Sequence, residues 1–176
     1  MAGPAWMMAV GILAGIAALF VASYPGFLLG GMRPISLWNS AYIPALFVTS
    51  ALLGGLGITN LLPLNLERLP WALTFLQSTG LIVAIFELLL LLGLILLAQT
   101  KTTEESVHLL THGPLRFHFF IGLLGLGLIV PLVLQGLVSL DAGVASLLVI
   151  EGVLHLFGVF LLRYIIFRAG IYVSPA

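Results

Sequence analysis

The chain has 176 residues, of which 61% are hydrophobic and only 7% charged, and its net charge is zero. A mean hydropathy of +1.26 excludes an ordinary soluble domain, in which about a quarter of residues are charged, and the balanced charge gives no electrostatic basis for binding nucleic acid. There is no Cys, so disulfides, thiolate metal sites and Cys-ligated iron–sulfur clusters are excluded within this chain.

Apolar runs of about 20 residues fit spanning helices, since each residue rises about 1.5 Å against about 30 Å of hydrocarbon. They predict an all-α, polytopic helix bundle in a lipid bilayer. It forms one transmembrane domain over residues 1–176, with helices near 6–29, 42–62, 71–98, 117–140 and 143–167. The first run lacks the charged start and cleavage site of a signal peptide and is expected to stay in the mature chain. Its Gly11 and Gly15, like Ser50/Gly54 and Ala51/Gly55 in the second helix, are small residues one turn apart. That spacing lets helix backbones pack closely in lipid.

The first two helices are joined through ASYPGFLLGGMRPISLWNSAYIP, residues 22–44. Its Pro and Gly residues suit a helix end and a new helix start. Pro63 and Pro70 bracket the next connection. The third helix carries Glu87 in FELLLLLG. Residues 99–116, QTKTTEESVHLLTHGPLR, are the strongly polar stretch and read as a loop. The fourth helix contains GLLGLGLIVP, where Pro131 is expected to kink the helix and free a carbonyl. The fifth carries Glu151 and His155 in IEGVLHLFG, then Arg163 and Tyr164 in LLRYIIFRAG.

A charge at bilayer depth is costly, so intramembrane ionisable groups usually face the bundle interior and mark function. Glu151 and His155 are four apart and share a helix face. Counted at 1.5 Å per residue, Glu87 lies about 24 Å from Trp71 and His155 about 18 Å from Gly143. This predicts similar depths and a polar track of Glu87, His155 and Glu151 for proton transfer. The structural alternative is a buried pair that fixes helix packing. Arg163 is about a turn deeper than Arg168, which suits an interior partner. No two His are positioned to face each other at one depth, so no haem is expected. His108 and His112 alone are too little for a metal site.

Arg33, Lys101, Arg116, Arg163 and Arg168 fall on one side and Arg68 on the other. The excess of positive charge predicts a cytoplasmic C-terminus and an outer N-terminus.

The segments SYPGFLL, RPISLWNSAYIP and ALFVTSALLGG, followed by FELLLLLG, GLGLIVPLVL and GVFLLRYIIFRAG, resemble in order and spacing the NrfD/PsrC family. These are the integral membrane subunits of polysulfide-reductase-type complexes. The resemblance covers nearly the whole sequence but begins at about the fourth of some eight family helices. The N-terminal helices are therefore expected from another membrane subunit, unless this is a shortened or split member or a part of a longer protein. A Pro-Gly also stands where the family more often has Thr-Gly after Tyr24.

The resemblance implies a prokaryotic cytoplasmic-membrane subunit of a respiratory oxidoreductase complex, with menaquinone or ubiquinone as substrate and no haem or metal of its own. It implies an iron–sulfur ferredoxin-like partner and a molybdopterin catalytic subunit. Tyr24 matches the tyrosine associated with quinone binding, and Trp38 and Asn39 match the loop at the edge of that site. Glu87, Glu151, His155 and Arg163 are candidates for proton movement. Two alternatives remain open from the residues: a small transporter or channel using buried Glu and His, and a structural anchor that has lost a complete quinone site.

Overall fold

The computed structural model describes residues 5–62, 70–96, 101–138 and 144–172, and these contain helices and turns without a strand. The helices are α1 (Ala5–Gly30), α2 (Tyr42–Leu61), α3 (Pro70–Leu96), α4 (Lys101–Thr111), α5 (His118–Val138) and α6 (Val144–Ala169). All except α4 are long and apolar enough to cross a membrane. The expected five spans are therefore present, with ends within two residues of those read from hydropathy. Arg68, the one cation expected on the outer side, lies outside the described residues.

Four spans close a ring. α2 packs on α6 and α3, and α5 closes the ring by packing on α6 and α3. α1 lies against the outside of α2. The contacts depend on glycine at two places in particular. A Cβ on Gly152 of α6 would stand 2.6 Å from the Gly57 carbonyl oxygen of α2, and a Cβ on Gly127 of α5 would stand 2.8 Å from Gly158 Cα of α6. Lipid tails are as apolar as Leu, so close backbone packing supplies attraction that the hydrophobic effect does not.

Gly54 meets Val159 of α6, as its spacing predicts. Gly11, Gly15 and Gly55 meet nothing within 4 Å, so the close packing expected through the first helix is not made there. α1 touches α2 through its second half, where Ser23, Gly26 and Leu29 are buried and Gly26 lies against Pro44 and Phe47. Residues 5–21 are exposed on every side. α1 therefore diverges from the ring and leaves a groove of about 600 Å³ between itself, α2 and α6.

The stretch expected to be a polar loop contains a helix. In α4, Thr103, Ser106, Val107 and Leu110 are buried at the 3, 4, 7 spacing of one helix face. They pack across α5 and α6, while Glu104, Glu105 and His108 face outward. Half of that buried face is hydroxyl-bearing, which hid its periodicity.

α5 is also unusual. Its first half, His118–Ile129, is wound with π-type hydrogen bonds, ending where the Val130 N–H reaches the Gly125 carbonyl five residues back. Pro131 follows and has no N–H to restore the tighter pattern. The widened helix meets α6 at its glycines.

Candidate functional site

Each helix of the ring contributes an uncharged or ionisable polar side chain at one level. Asn60 comes from α2, Gln77 from α3, and Glu151 and His155 from α6. Together they line a closed chamber of about 10 Å³, the room needed for about one water. Gln135 of α5 stands beside it, packed over Gly80 with its amide N–H donating to the Gln77 carbonyl oxygen. Glu151 and His155 are each 3% exposed. The nearest Glu151 oxygen is 3.9 Å from His155 Nδ1, too far for a direct hydrogen bond. Glu151 Oε2, His155 Nδ1 and Gln77 Nε2 have no hydrogen-bond partner among the described residues. Leaving such groups unmade costs about 1–3 kcal/mol each, so the chamber is built to hold something polar.

Glu87 is not in this cluster. It is 2% exposed, with Thr49 of α2 beside its carboxyl and its Oε2 unpartnered among the described residues. His155 instead packs against Gly57 of α2, eight residues from Thr49, or about 12 Å along the helix. The stagger of α3 against α6 explains the difference from the expected common depth: Gln77, not Glu87, is level with the Glu151–His155 pair.

Arg163 lines the groove beside α1, with Gly15, Ala18 and Ala22 of α1, Gly55 of α2 and Val159 of α6. Its guanidinium sits 5.6 Å from the centre of the Phe47 ring, a cation–π arrangement. Its Nε has no hydrogen-bond partner among the described residues.

Tyr24 is 62% exposed on α1. Phe20, Val21, Phe27 and Leu28, at i±3 and i±4, form one exposed stripe with it. The stripe lies on the opposite side of α1 from the face that packs on α2. Asn39 is exposed in the α1–α2 turn, where its N–H bonds the Ile35 carbonyl at 3.0 Å. Trp38 is committed elsewhere. Its indole N–H donates to the Ile166 carbonyl oxygen at 2.9 Å, its ring meets Phe167 edge-on at 6.0 Å, and Gly170 leaves it room. The last four carbonyls of a helix lack an intrahelical donor. Trp38 therefore caps α6 and ties the turn to it.

The sequence profile of a family described as polysulphide reductase, NrfD, matches residues 2–175. The chain belongs to the NrfD family. Among curated proteins, it is 30% identical over 164 residues to the C subunit of polysulfide reductase from Wolinella succinogenes, covering 88% of this sequence and 51% of that protein. It is 28% identical over 161 residues to protein NrfD of Escherichia coli, covering 88% of this sequence and 50% of that protein. The chain thus spans about half the length of the curated relatives it matches. No solved structure matches it significantly.

For this NrfD-family chain, reading the charged residues found Glu151 and His155 but missed Asn60, Gln77 and Gln135. The available signal was the presence of amides inside otherwise apolar spans, where each must find a hydrogen-bond partner.

Proposed function

We propose that this NrfD-family chain is a quinone-reactive membrane subunit of a respiratory oxidoreductase complex, exchanging electrons with an iron–sulfur partner that serves a molybdopterin catalytic subunit. Family membership supports the place in an oxidoreductase complex. The observation that carries the quinone reading is the stripe around Tyr24. A phenol flanked by Phe20 and Phe27 on a membrane-exposed helix face offers an aromatic platform and one hydrogen-bond donor, and a phenol in apolar surroundings needs a partner. A quinone ring with its carbonyl oxygens matches both.

Tyr24 donates to one quinone oxygen. Trp38, by holding the α1–α2 turn on α6, positions Asn39 at the edge of the site. A second membrane segment closes the other wall, in keeping with a sequence that spans about half the length of the relatives it matches. Reduction of a quinone to a quinol takes two electrons and two protons. The electrons are exchanged with the partner's cluster in either direction, and Glu87, Glu151, His155 and Arg163 serve proton movement. By the charge distribution, the C-terminus lies in the cytoplasm.

The test is purification from native membranes with the partner subunits, followed by titration with a fluorescent quinone analogue. Tyr24→Phe should weaken analogue binding by up to about tenfold, the value of one hydrogen bond. Purification without an iron–sulfur protein, or equal affinity in Tyr24→Phe and the native protein, refutes the reading.

A further inference from the structure

The groove beside α1 carries a cation at one end. Arg163 lines it six residues before the end of α6 at Ala169, about 9 Å along the helix. Its Nε is buried without a hydrogen-bond partner, and no carboxylate pairs with it among the described residues. The Phe47 ring, 5.6 Å away, attracts the guanidinium but accepts none of its N–H groups as a carboxylate or phosphate would. α6 has 26 residues, so it is about 39 Å long and exceeds the hydrocarbon core by about 9 Å. With that excess shared between its ends, Arg163 lies within about 5 Å of the edge of the core. Beyond Arg163 the groove is mainly apolar. Gly15 and Ala18 of α1 face Ala51 and Gly55 of α2, and a Cβ on Gly15 or Gly55 would meet nothing within 4 Å. Thr59 and Thr79 also line it; the Thr59 hydroxyl already donates to the Gly55 carbonyl oxygen at 2.9 Å. Counted along α2 from Phe47 to Thr59, the groove runs about 18 Å, close to half of the hydrocarbon core.

We propose that this groove binds an anionic phospholipid, with one acyl chain between α1, α2 and α6 and the phosphate held by Arg163. Two observations choose this occupant. The first is charge. A guanidinium at membrane depth with an unpartnered donor calls for an anion, and phosphate oxygens match its planar fork of N–H groups. Basic pockets between transmembrane helices bind anionic lipid headgroups in this way. The second is size. A helix about 10 Å across laid along the same 18 Å would need roughly 1400 Å³, more than twice the volume of about 600 Å³ present. A single hydrocarbon chain is far thinner than a helix, and it reaches down one leaflet, as the groove does. The bound chain fills the space that α1 leaves where it diverges from the ring, and so joins α1 to α6 without direct contact. Arg163 supplies a fixed charge in this role and need not give up a proton.

The groove lies on the face of α1 away from Tyr24, so the inference does not rest on quinone binding. The test uses the assembled complex, washed free of lipid in a mild detergent. It is titrated with phosphatidylglycerol or with phosphatidylcholine of the same acyl chains, and bound lipid is counted by native mass spectrometry. One site should prefer phosphatidylglycerol by about tenfold or more, the value of a charged hydrogen bond. Arg163→Gln should remove that preference and Arg163→Lys, which keeps the charge, should retain most of it. Equal binding of the two lipids by the native complex, or an undiminished preference in Arg163→Gln, would overturn the proposal. Gly55→Leu places a side chain in the open groove and should lose the site for both lipids; an unchanged lipid count would put the lipid elsewhere. A photoreactive phenylalanine in place of Leu52, which lines the groove and is 43% exposed, identifies the occupant in membranes. A phospholipid adduct is expected. A crosslink to a polypeptide would give the groove to a partner helix, and a quinone adduct would give it to a quinone tail; either result refutes the lipid assignment.

Discussion

Replacing Gly152 by Ala adds one methyl group where α2 and α6 cross. The new Cβ would lie 2.6 Å from the Gly57 carbonyl oxygen, 3.1 Å from Leu61 Cγ and 3.3 Å from Asn60 Cβ. A carbon normally approaches a carbonyl oxygen no closer than about 3.3 Å, so the helices must separate by roughly 0.7 Å. Overpacking of this kind costs about 1–3 kcal/mol. Ala is a better helix former than Gly by about 1 kcal/mol, which offsets part of that cost. Gly55→Ala is the matched control, because a Cβ there meets nothing within 4 Å and only the propensity gain remains. The difference between the two variants isolates the crossing. It should be about 1–3 kcal/mol, or roughly 5- to 150-fold in the unfolding equilibrium. The assay is loss of helical signal in mixed micelles as SDS replaces a mild detergent, with Gly152→Ala unfolding at lower SDS than Gly55→Ala. Coincident transitions would show that α2 and α6 do not approach at Gly57 and Gly152, and the ring would have to be redrawn.

Trp38→Phe keeps an aromatic ring but removes the donor to the Ile166 carbonyl. It should destabilise the protein by about 1–3 kcal/mol in the same SDS titration, and an unmoved midpoint would deny Trp38 its capping role. Ser106→Ala should behave oppositely. Ser106 is 1% exposed and its hydroxyl lacks a partner among the described residues, so its removal should be neutral or stabilising by up to about 1 kcal/mol; clear destabilisation would mean a hidden partner. Glu151→Gln, which preserves size and polarity but cannot carry a proton, should slow quinol turnover by about a hundredfold or more, the low end of what a positioned acid or base contributes, while leaving analogue binding unchanged. Full turnover would reduce Glu151 to a packing residue.

The five spans are legible in the sequence because the bilayer imposes a length and a polarity that few other constraints disturb. α4 is not, since its buried face uses Thr103 and Ser106 where a hydropathy reading looks for Leu. The buried acids are visible one by one, but their neighbours depend on how far each helix slides along the next. That stagger is set by contacts such as Gly57 against Gly152, between residues far apart in sequence. Trp38 shows a different limit. The resemblance placed it at the edge of a quinone site, while its cap on α6 depends on a carbonyl 128 residues away that no local pattern announces.

The stagger divides the bundle interior into two polar levels with a dry interval between them. At one level, Asn60, Gln77, Glu151 and His155 surround the chamber. At the other, Glu87 lies near Thr49. On the intervening turns stand Leu53 and Ala84, 2% and 1% exposed and part of the packed apolar core. Proton transfer requires hydrogen-bond reach or an intervening water, and the buried Leu53 and Ala84 side chains between the levels, which are about 12 Å apart counted along α2, provide no hydrogen-bonding group. The two acids therefore do not form one wire in this arrangement. The level holding Glu151 lies toward the end where α3 begins, with Gln77 seven residues from Pro70. Glu87 lies nine residues from the opposite end of α3, about 13 Å along the helix. Coupling between the levels would then require movement of the helices that bound the interval. α5 is suited to such movement, because its π-wound half ends at Ile129, just before Pro131 and six residues before Gln135, and π segments are frequent where helices serve function.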